Sequence, residues 1–253
     1  ALQQAVFSNP ANVSLVYMLA RLQGRTGHFD DAIKLLKTSA EKAAISDGRA
    51  AASLLVSLGD LYIGKDRYSE AAETFESALS TKGVNANTAL PEEDREFAMY
   101  VFEKLIQTYK LSDRPRDIRP LIDRARAVCG KNDLFADRQL ISFYRSTGNK
   151  AEALAVIRSV RERLPNDSGF IRLEATLLTE TGRVDAAVTS IRADMNRKKL
   201  PGAVGGSSPE AVSGTVVVPL LAYDEFSDHL FISNLFSKAN RPKDAADAAN
   251  QAF

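Results

Sequence analysis

The chain has 253 residues, of which 45% are hydrophobic and 26% charged, so it can bury a sizeable core and is not a disordered polypeptide. Its net charge of +1 argues against a dedicated nucleic-acid binder, which usually carries a clear basic excess. The single cysteine, Cys129, excludes an internal disulfide and a cysteine zinc cluster.

The first pair of helices is predicted at about 13–46. Apolar and small residues recur at helical spacing on both sides of a break at 27–29: Val16, Leu19 and Ala20 before it, and Ala32, Leu36 and Ala40 after it. Asp30 is the predicted N-cap of the second helix. Ala20 and Ala32 are small enough to let the two helices approach closely.

The same pattern is clearest between Leu55 and Leu79. Leu55, Leu58, Gly59 and Tyr62 form one helical stripe, and Ala71, Phe75 and Ala78 form the next after a break at 64–66. This spacing resembles the tetratricopeptide repeat (TPR), whose signature is Trp-x2-Leu-Gly-x2-Tyr followed by Ala-x3-Phe and Pro. Leu55 stands in the Trp slot and Gly83 in the Pro slot. We expect Gly59 and Ala71 to face each other where these helices cross.

The later repeats follow with more variation. Pro91 is predicted to open a long helix, and bulky Ile106 and Ile118 replace the small pair of the third repeat. Ile141 and Ala175 are one TPR period of 34 residues apart. The repeat positions expected to pack are Ala20, Ala32, Gly59, Tyr62, Ala71, Phe75, Ala153, Ala175 and Ala187.

The resemblance implies an all-α fold, a right-handed superhelical solenoid of TPR-like antiparallel helix pairs. We predict a single array over 1–253 that begins with the end of a preceding repeat at 1–11. Full repeats are expected at about 13–46, 52–80, 91–129, 134–166, 168–195 and 224–253, with insertions at about 80–90 and 196–221.

The second insertion is rich in Gly, Ser and Pro and contains the β-branched run 215–218, so no helix is expected to run through 196–221. We interpret it as a long loop, with Arg197, Lys198 and Lys199 as its trypsin sites. The chain begins at Ala1 without Met or a basic n-region, so we expect it to be a piece of a longer protein.

In the TPR family the first helices of the repeats line a concave groove. The residues that this resemblance places in a partner-binding groove are Tyr17, Arg21, Tyr100, Lys110, Phe135, Arg138, Arg145 and Arg172. Arg138 and Arg172 are 34 residues apart, so they are expected to lie above one another on adjacent repeats. Their side chains are not expected to pack in the core and would form a basic patch. Such a patch suits an acidic or C-terminal peptide; the alternative is a solvated face of Arg–Glu pairs.

One TPR subclass clamps a chaperone's C-terminal carboxylate with Lys and Asn. Tyr17, Arg21 and Ser57 stand in the comparable slots here, so binding of a chaperone tail is not predicted.

The sequence contains no credible catalytic constellation. His28 and His229 stand alone, Cys129 is interpreted as a packed thiol, and the glycines at 202–206 lack the Lys-Ser/Thr of a phosphate loop. We therefore predict no enzyme activity, no metal and no cofactor.

The predicted function is a scaffold or adaptor that binds a protein or peptide segment in the concave groove. One alternative is the targeting or regulatory region of a larger enzyme or secretion component. A second is an RNA-binding helical-repeat protein, against which the near-zero net charge argues. No apolar run approaches the roughly 18–20 residues that span a bilayer, so we expect a soluble protein without a membrane span. The compartment, cytoplasmic or extracytoplasmic, and the oligomeric state stay open.

Overall fold

The computed structural model describes residues 2–9, 12–84, 90–130, 133–199 and 225–252, with the backbone alone for Glu93. These residues form thirteen α-helices and contain no strand, which confirms the predicted all-α class. The helices are α1 Leu2–Ser8, α2 Val13–Arg25, α3 Phe29–Ala43, α4 Gly48–Ile63, α5 Tyr68–Thr81, α6 Glu92–Leu111, α7 Pro115–Cys129, α8 Phe135–Ser146, α9 Lys150–Arg163, α10 Ser168–Glu180, α11 Val184–Lys198, α12 Phe226–Lys238 and α13 Pro242–Asn250. No helix in these ranges is both long and apolar enough to cross a membrane.

The chain divides into two compact units, residues 1–139 (unit 1) and 140–253 (unit 2). In unit 1 each helix from α1 to α7 packs against the next one along the chain, and α2 also packs against α4. In unit 2 the helices from α9 to α13 pack in the same consecutive way, and α10 also contacts α12. Six helix–turn–helix pairs thus follow α1, starting with α2/α3 and ending with α12/α13.

The turns inside the six pairs share one backbone conformation. The middle residue of each turn has a positive φ, between 52° and 86°, at Gly27, Asp66, Asp113, Gly148, Gly182 and Asn240. The next backbone N–H donates to a carbonyl five residues earlier, as from Arg67 to Tyr62 at 3.0 Å and from Arg183 to Leu178 at 2.8 Å. This bond ties off a carbonyl that the helix end leaves unpaired.

The core of each pair is built on small residues that allow close approach. Ala32, Ala71, Ala153 and Ala187 are fully buried. Gly59 makes the closest approach: a Cβ placed on it would lie 2.5 Å from Cε1 of Phe75. The three atoms nearest to that position all belong to the flat ring of Phe75, which lies over Gly59 because no Cβ stands in its way. The contact between Gly59 and Ala71 stays a prediction.

The helix ends differ from the sequence prediction at several points. Helix α3 begins at Phe29, so Asp30 lies in its first turn and His28 precedes the helix without a side-chain cap. Gly83 replaces a Pro because the chain after α5 turns back with φ +77°, which favours glycine.

Helix α11 runs to Lys198, into the stretch where no helix was expected. Arg197 and Lys198 both pair with Asp194 one turn earlier, at 2.5 and 2.7 Å, and these i,i+3 and i,i+4 contacts stabilise the last turn. The rest of that predicted insertion, from 200 onward, lies outside the described residues, as do 85–89 of the first one.

Candidate functional site

Unit 1 contains an open cleft between α2 and α4, which we call the inner cleft. Its volume is about 290 Å³. It is lined by Tyr17, Ala20, Arg21, Gly24, Arg25, Phe29, Leu36, Ser57, Asp60 and Leu61. Tyr17 and Arg21, two of the residues predicted to contact a partner, therefore lie at the same site.

Helix geometry explains how α2 presents its side chains to the inner cleft. Tyr17, Arg21 and Arg25 follow one another at i+4 spacing and so share one face of α2. Gly24 lies next to them, where a Cβ would lie 3.2 Å from Cδ1 of Leu61 on α4. The floor is therefore apolar and the α2 side of the cleft is cationic.

The one carboxylate of the inner cleft is already paired. Asp60 accepts from Nζ of Lys104, on α6, at 2.8 Å. Desolvation lowers the pKa of Lys104, but the hydrogen bond and the charge of Asp60 outweigh it and raise that pKa above its usual value. The charge of Lys104 thus balances that of Asp60, and the pair adds no net negative charge to the inner cleft.

Arg21 and Arg25 are exposed and form no ion pair with any residue that the structure describes. Their two charges are left uncompensated beside an apolar floor. An occupant with a carboxylate would find two guanidinium groups there, each able to bind it in a bidentate way.

The first-helix surface continues onto α6. Tyr100 is 46% exposed, and the Lys104 ammonium lies 5.3 Å from the centre of its ring. Lys110 is exposed near the end of the same helix. Phe135 is half-buried and Arg138 exposed at the start of α8.

Two predicted arginines are engaged inside unit 2. Arg145 contacts Glu180 at 3.1 Å. Arg172 donates to the buried carboxylate of Asp228 at 2.5 Å and to Ser227 at 3.0 Å, and its guanidinium lies 5.2 Å from the Phe231 ring. The prediction that Arg172 does not pack is therefore wrong, because it joins α10 to α12 through a carboxylate that is almost inaccessible to water.

Sequence reasoning missed three residues that shape the inner cleft: Phe29, Leu61 and Lys104. Leu61 precedes Tyr62, the last residue of the predicted stripe 55–62, so a wider stripe on that helix includes it. Asp60 and Lys104 lie in different helix pairs, and the predicted insertion at about 80–90 separates them in the sequence. No residue spacing therefore indicates their contact.

In the part of the chain that the structure describes, the two histidines and the cysteine have the following surroundings. His28 Nδ1 lies 3.0 Å from the Thr26 hydroxyl in a turn, and His229 Nε2 lies 3.7 Å from the Glu225 carboxylate. Cys129 is buried, and burial raises the pKa of its thiol to about 11. Across the described ranges, no three His, Cys, Asp or Glu residues are grouped closely enough to hold a metal.

Comparison with known proteins identifies the repeats. Residues 17–86, which include the inner cleft, match the family model described as tetratricopeptide repeat. No curated protein sequence shows significant similarity to the chain.

Many solved structures resemble the fold. A tetratricopeptide repeat protein from Parabacteroides merdae ATCC 43184 is 13% identical over 99% of this chain and 82% of its own, with a TM-score of 0.49. YrrB, described as a TPR protein with an unusual peptide-binding site, is 18% identical over 78% and 91%, with a TM-score of 0.42. MamA is 12% identical over 77% and 92%, with a TM-score of 0.44. Likeness at this level carries no information about partners.

Proposed function

The chain carries tetratricopeptide repeats at residues 17–86, and from this premise we propose that it is a non-catalytic interaction module that holds a segment of a partner protein in the inner cleft. The observation that carries the proposal is the combination, in one open cleft, of an apolar floor with two uncompensated arginines. Concave, mostly apolar sites with a few convergent polar groups are where proteins bind ligands.

The chemistry of the inner cleft favours an extended segment with one bulky apolar side chain and a nearby carboxylate. The apolar side chain would lie on Ala20 and Leu61 against the Tyr17 ring. The carboxylate, from an acidic residue or a chain end, would accept from Arg21 and Arg25. Two charge-assisted contacts of this kind contribute about 1.5–3 kcal/mol each when partly desolvated, and less when exposed.

The proposal can be tested by photo-cross-linking from inside the inner cleft. With Tyr17→p-benzoylphenylalanine, irradiation in an extract of the source cells should attach a partner, and mass spectrometry should locate the cross-link in an acidic, extended segment. Adding the double change Arg21→Glu, Arg25→Glu should abolish the cross-link, because the two carboxylates that replace the guanidinium groups repel the carboxylate of the partner.

A matched control reverses two other charges of unit 1. Lys34 and Lys42 are exposed on α3 and are not among the residues that line the inner cleft, so Lys34→Glu with Lys42→Glu should leave the cross-link intact. Cross-linking that survives the Arg21 and Arg25 reversals, or that stops equally in the control, would contradict the assignment of the inner cleft as the binding site.

A further inference from the structure

Unit 1 has a second groove on the opposite helices of its repeats, which we call the outer furrow. It lies between α3 and α5, the second helices of two neighbouring pairs, and has a volume of about 450 Å³. Its lining residues are Lys37, Ala40, Glu41, Ala44, Leu55, Leu58, Tyr62, Glu70, Glu73, Thr74 and Ser77. None of them lines the inner cleft.

The repeat architecture explains why this groove is open. Helices α3 and α5 each pack on α4, so α4 forms the floor between them with Leu55, Leu58 and Tyr62. The sides of the furrow include short side chains, such as Ala44 directly after α3 and Ser77 on α5, both exposed. Leu58 and Tyr62 are buried, whereas Leu55 is half-buried and Ala44 is exposed, so Leu55 and Ala44 are the apolar groups that an occupant can reach between the two banks.

The charge of the outer furrow is acidic, the reverse of the inner cleft. Three carboxylates, those of Glu41, Glu70 and Glu73, face one ammonium, that of Lys37. Glu70 is held by Arg67 at 2.8 Å. Glu41 and Glu73 are exposed and form no ion pair with any described residue, so one carboxylate on each bank lacks a counter-ion.

We propose that the outer furrow is a second docking surface, which binds a cationic amphipathic segment of a partner protein. Apolar side chains of that segment lie on Leu55 and Ala44, and flanking Lys or Arg side chains reach Glu41 on one bank and Glu73 on the other. Charge complementarity selects this occupant, because an acidic segment would meet two unpaired carboxylates. The two faces of unit 1 thus bind segments of opposite charge.

The test uses two defined probes on the full chain. One is a 12-residue amphipathic peptide of Lys and Leu, and the other is its counterpart with Glu in place of Lys. In ¹H–¹⁵N NMR titrations the cationic peptide should shift the amides of Glu41, Thr74 and Ser77, and the Glu peptide should leave them unmoved. Binding of the cationic peptide should weaken as salt is raised, since exposed charge pairs are screened.

Two variants of equal charge change separate the furrow from general electrostatics. Glu41→Gln with Glu73→Gln should lower the affinity for the cationic peptide about fivefold, because two exposed charge contacts are lost. Glu152→Gln with Glu162→Gln, exposed on α9 in unit 2, should change its affinity by less than about 1.5-fold. Circular dichroism melts should show both variants folded, since none of the four side chains is buried.

Three outcomes would overturn the proposal. Equal binding of the two peptides would remove the charge selectivity. Shifts centred on Tyr17 and Arg21 would assign the cationic peptide to the inner cleft. Self-association in sedimentation velocity that disappears in the Glu41→Gln, Glu73→Gln variant would make a second copy of the chain the occupant.

Discussion

At the scale of single residues, the turns within the helix pairs are the most uniform feature of the chain. All six place one residue in the left-handed region, and three of these residues are not glycine: Asp66, Asp113 and Asn240. Side chains in that region are strained by contact between Cβ and the following carbonyl, by about 1–2 kcal/mol, with Asn and Asp the best tolerated. The six turns are therefore equivalent in backbone and unequal in strain.

Exchanging glycine at these positions should change stability in opposite directions. Asp113→Gly should raise the free energy of unfolding by about 0.5–1 kcal/mol, because φ of 52° suits glycine and the helix-ending bond is kept. Gly182→Ala, at φ of 78°, should lower it by about 1 kcal/mol. Urea unfolding measures both. A destabilised Asp113→Gly would show that the Asp113 side chain makes a contact that outweighs its backbone strain.

The burial of Cys129 determines how the reactivity of its thiol, and its contribution to stability, depend on pH. Because burial raises the pKa of Cys129 to about 11, only about one thiol in a thousand is ionised at pH 8. Because the pKa of Cys129 is raised in the folded chain, the contribution of its buried, neutral thiol to the free energy of unfolding is complete below the unfolded pKa of about 8.5. That contribution is lost as the pH rises towards 11. Ellman's reagent at pH 8 should therefore label the native chain slowly and the urea-unfolded chain at once. Rapid labelling of the native chain would contradict the burial of Cys129.

At the scale of the helix pair, the fit of Gly59 to Phe75 decides how closely α4 and α5 cross. Even a single methyl at residue 59 would lie within 3 Å of three ring atoms of the fully buried Phe75. A ring enclosed in this way cannot move aside without opening a cavity elsewhere.

Gly59→Ala should lower the free energy of unfolding by about 1–3 kcal/mol through overpacking, and Gly59→Leu by more. Gly24→Ala is the matched control, since its Cβ would meet the flexible end of Leu61 at 3.2 Å and alanine favours a helix by about 1 kcal/mol. In a double-mutant cycle, Phe75→Leu should cancel part of the Gly59→Ala cost. Additive effects of Gly59→Ala and Phe75→Leu would show that this contact does not limit the crossing.

Local periodicity was enough to predict the helices, because each one is amphipathic and each turn carries Gly, Asp or Asn. Tyr17 and Arg21 were predicted from the resemblance to the tetratricopeptide repeat, which places the outward face of each first helix in the groove. The role of Arg172 could not be predicted. Its partner Asp228 lies 56 residues further along the chain, beyond an insertion, and no pattern within one repeat relates the two.

At the scale of the whole chain, the ends of α10, α11 and α12 in unit 2 share a buried ionic network. Lys198 bridges the carboxylates of Asp194 and Asp228, at 2.7 and 3.2 Å. Arg172, on α10, forms a further ion pair with Asp228. Both carboxylates are about 3% exposed, so each depends on these partners for its charge.

This network should make unit 2 sensitive to acid. Burial raises the pKa of Asp194, but hydrogen bonds from Lys198, Arg197 and Ser168 outweigh it, and the resulting pKa lies below the usual value. The stabilisation is therefore present above the unfolded pKa of about 3.9 and is lost as pH falls through the folded pKa. Asp194→Asn should be less stable than the parent at pH 7 and should lose less stability between pH 5 and 2. Parallel pH profiles in thermal melts would refute this role for Asp194.

The six equivalent turns also determine where the chain can accept foreign sequence. The connection inside a helix pair has three or four residues throughout, whereas the sequence separation between described pairs varies from four residues at 164–167 to 27 between Lys198 and Phe226. A left-handed residue followed by a bond to a carbonyl five residues back allows little variation in length, and a segment between pairs has no such restriction. A guest loop of eight Gly/Ser residues inserted after Asn166 should therefore leave the melting temperature within a few degrees, while the same loop after Gly182 should separate α10 from α11. Repeat arrays of this kind can gain new loops between their modules without redesign of the modules themselves.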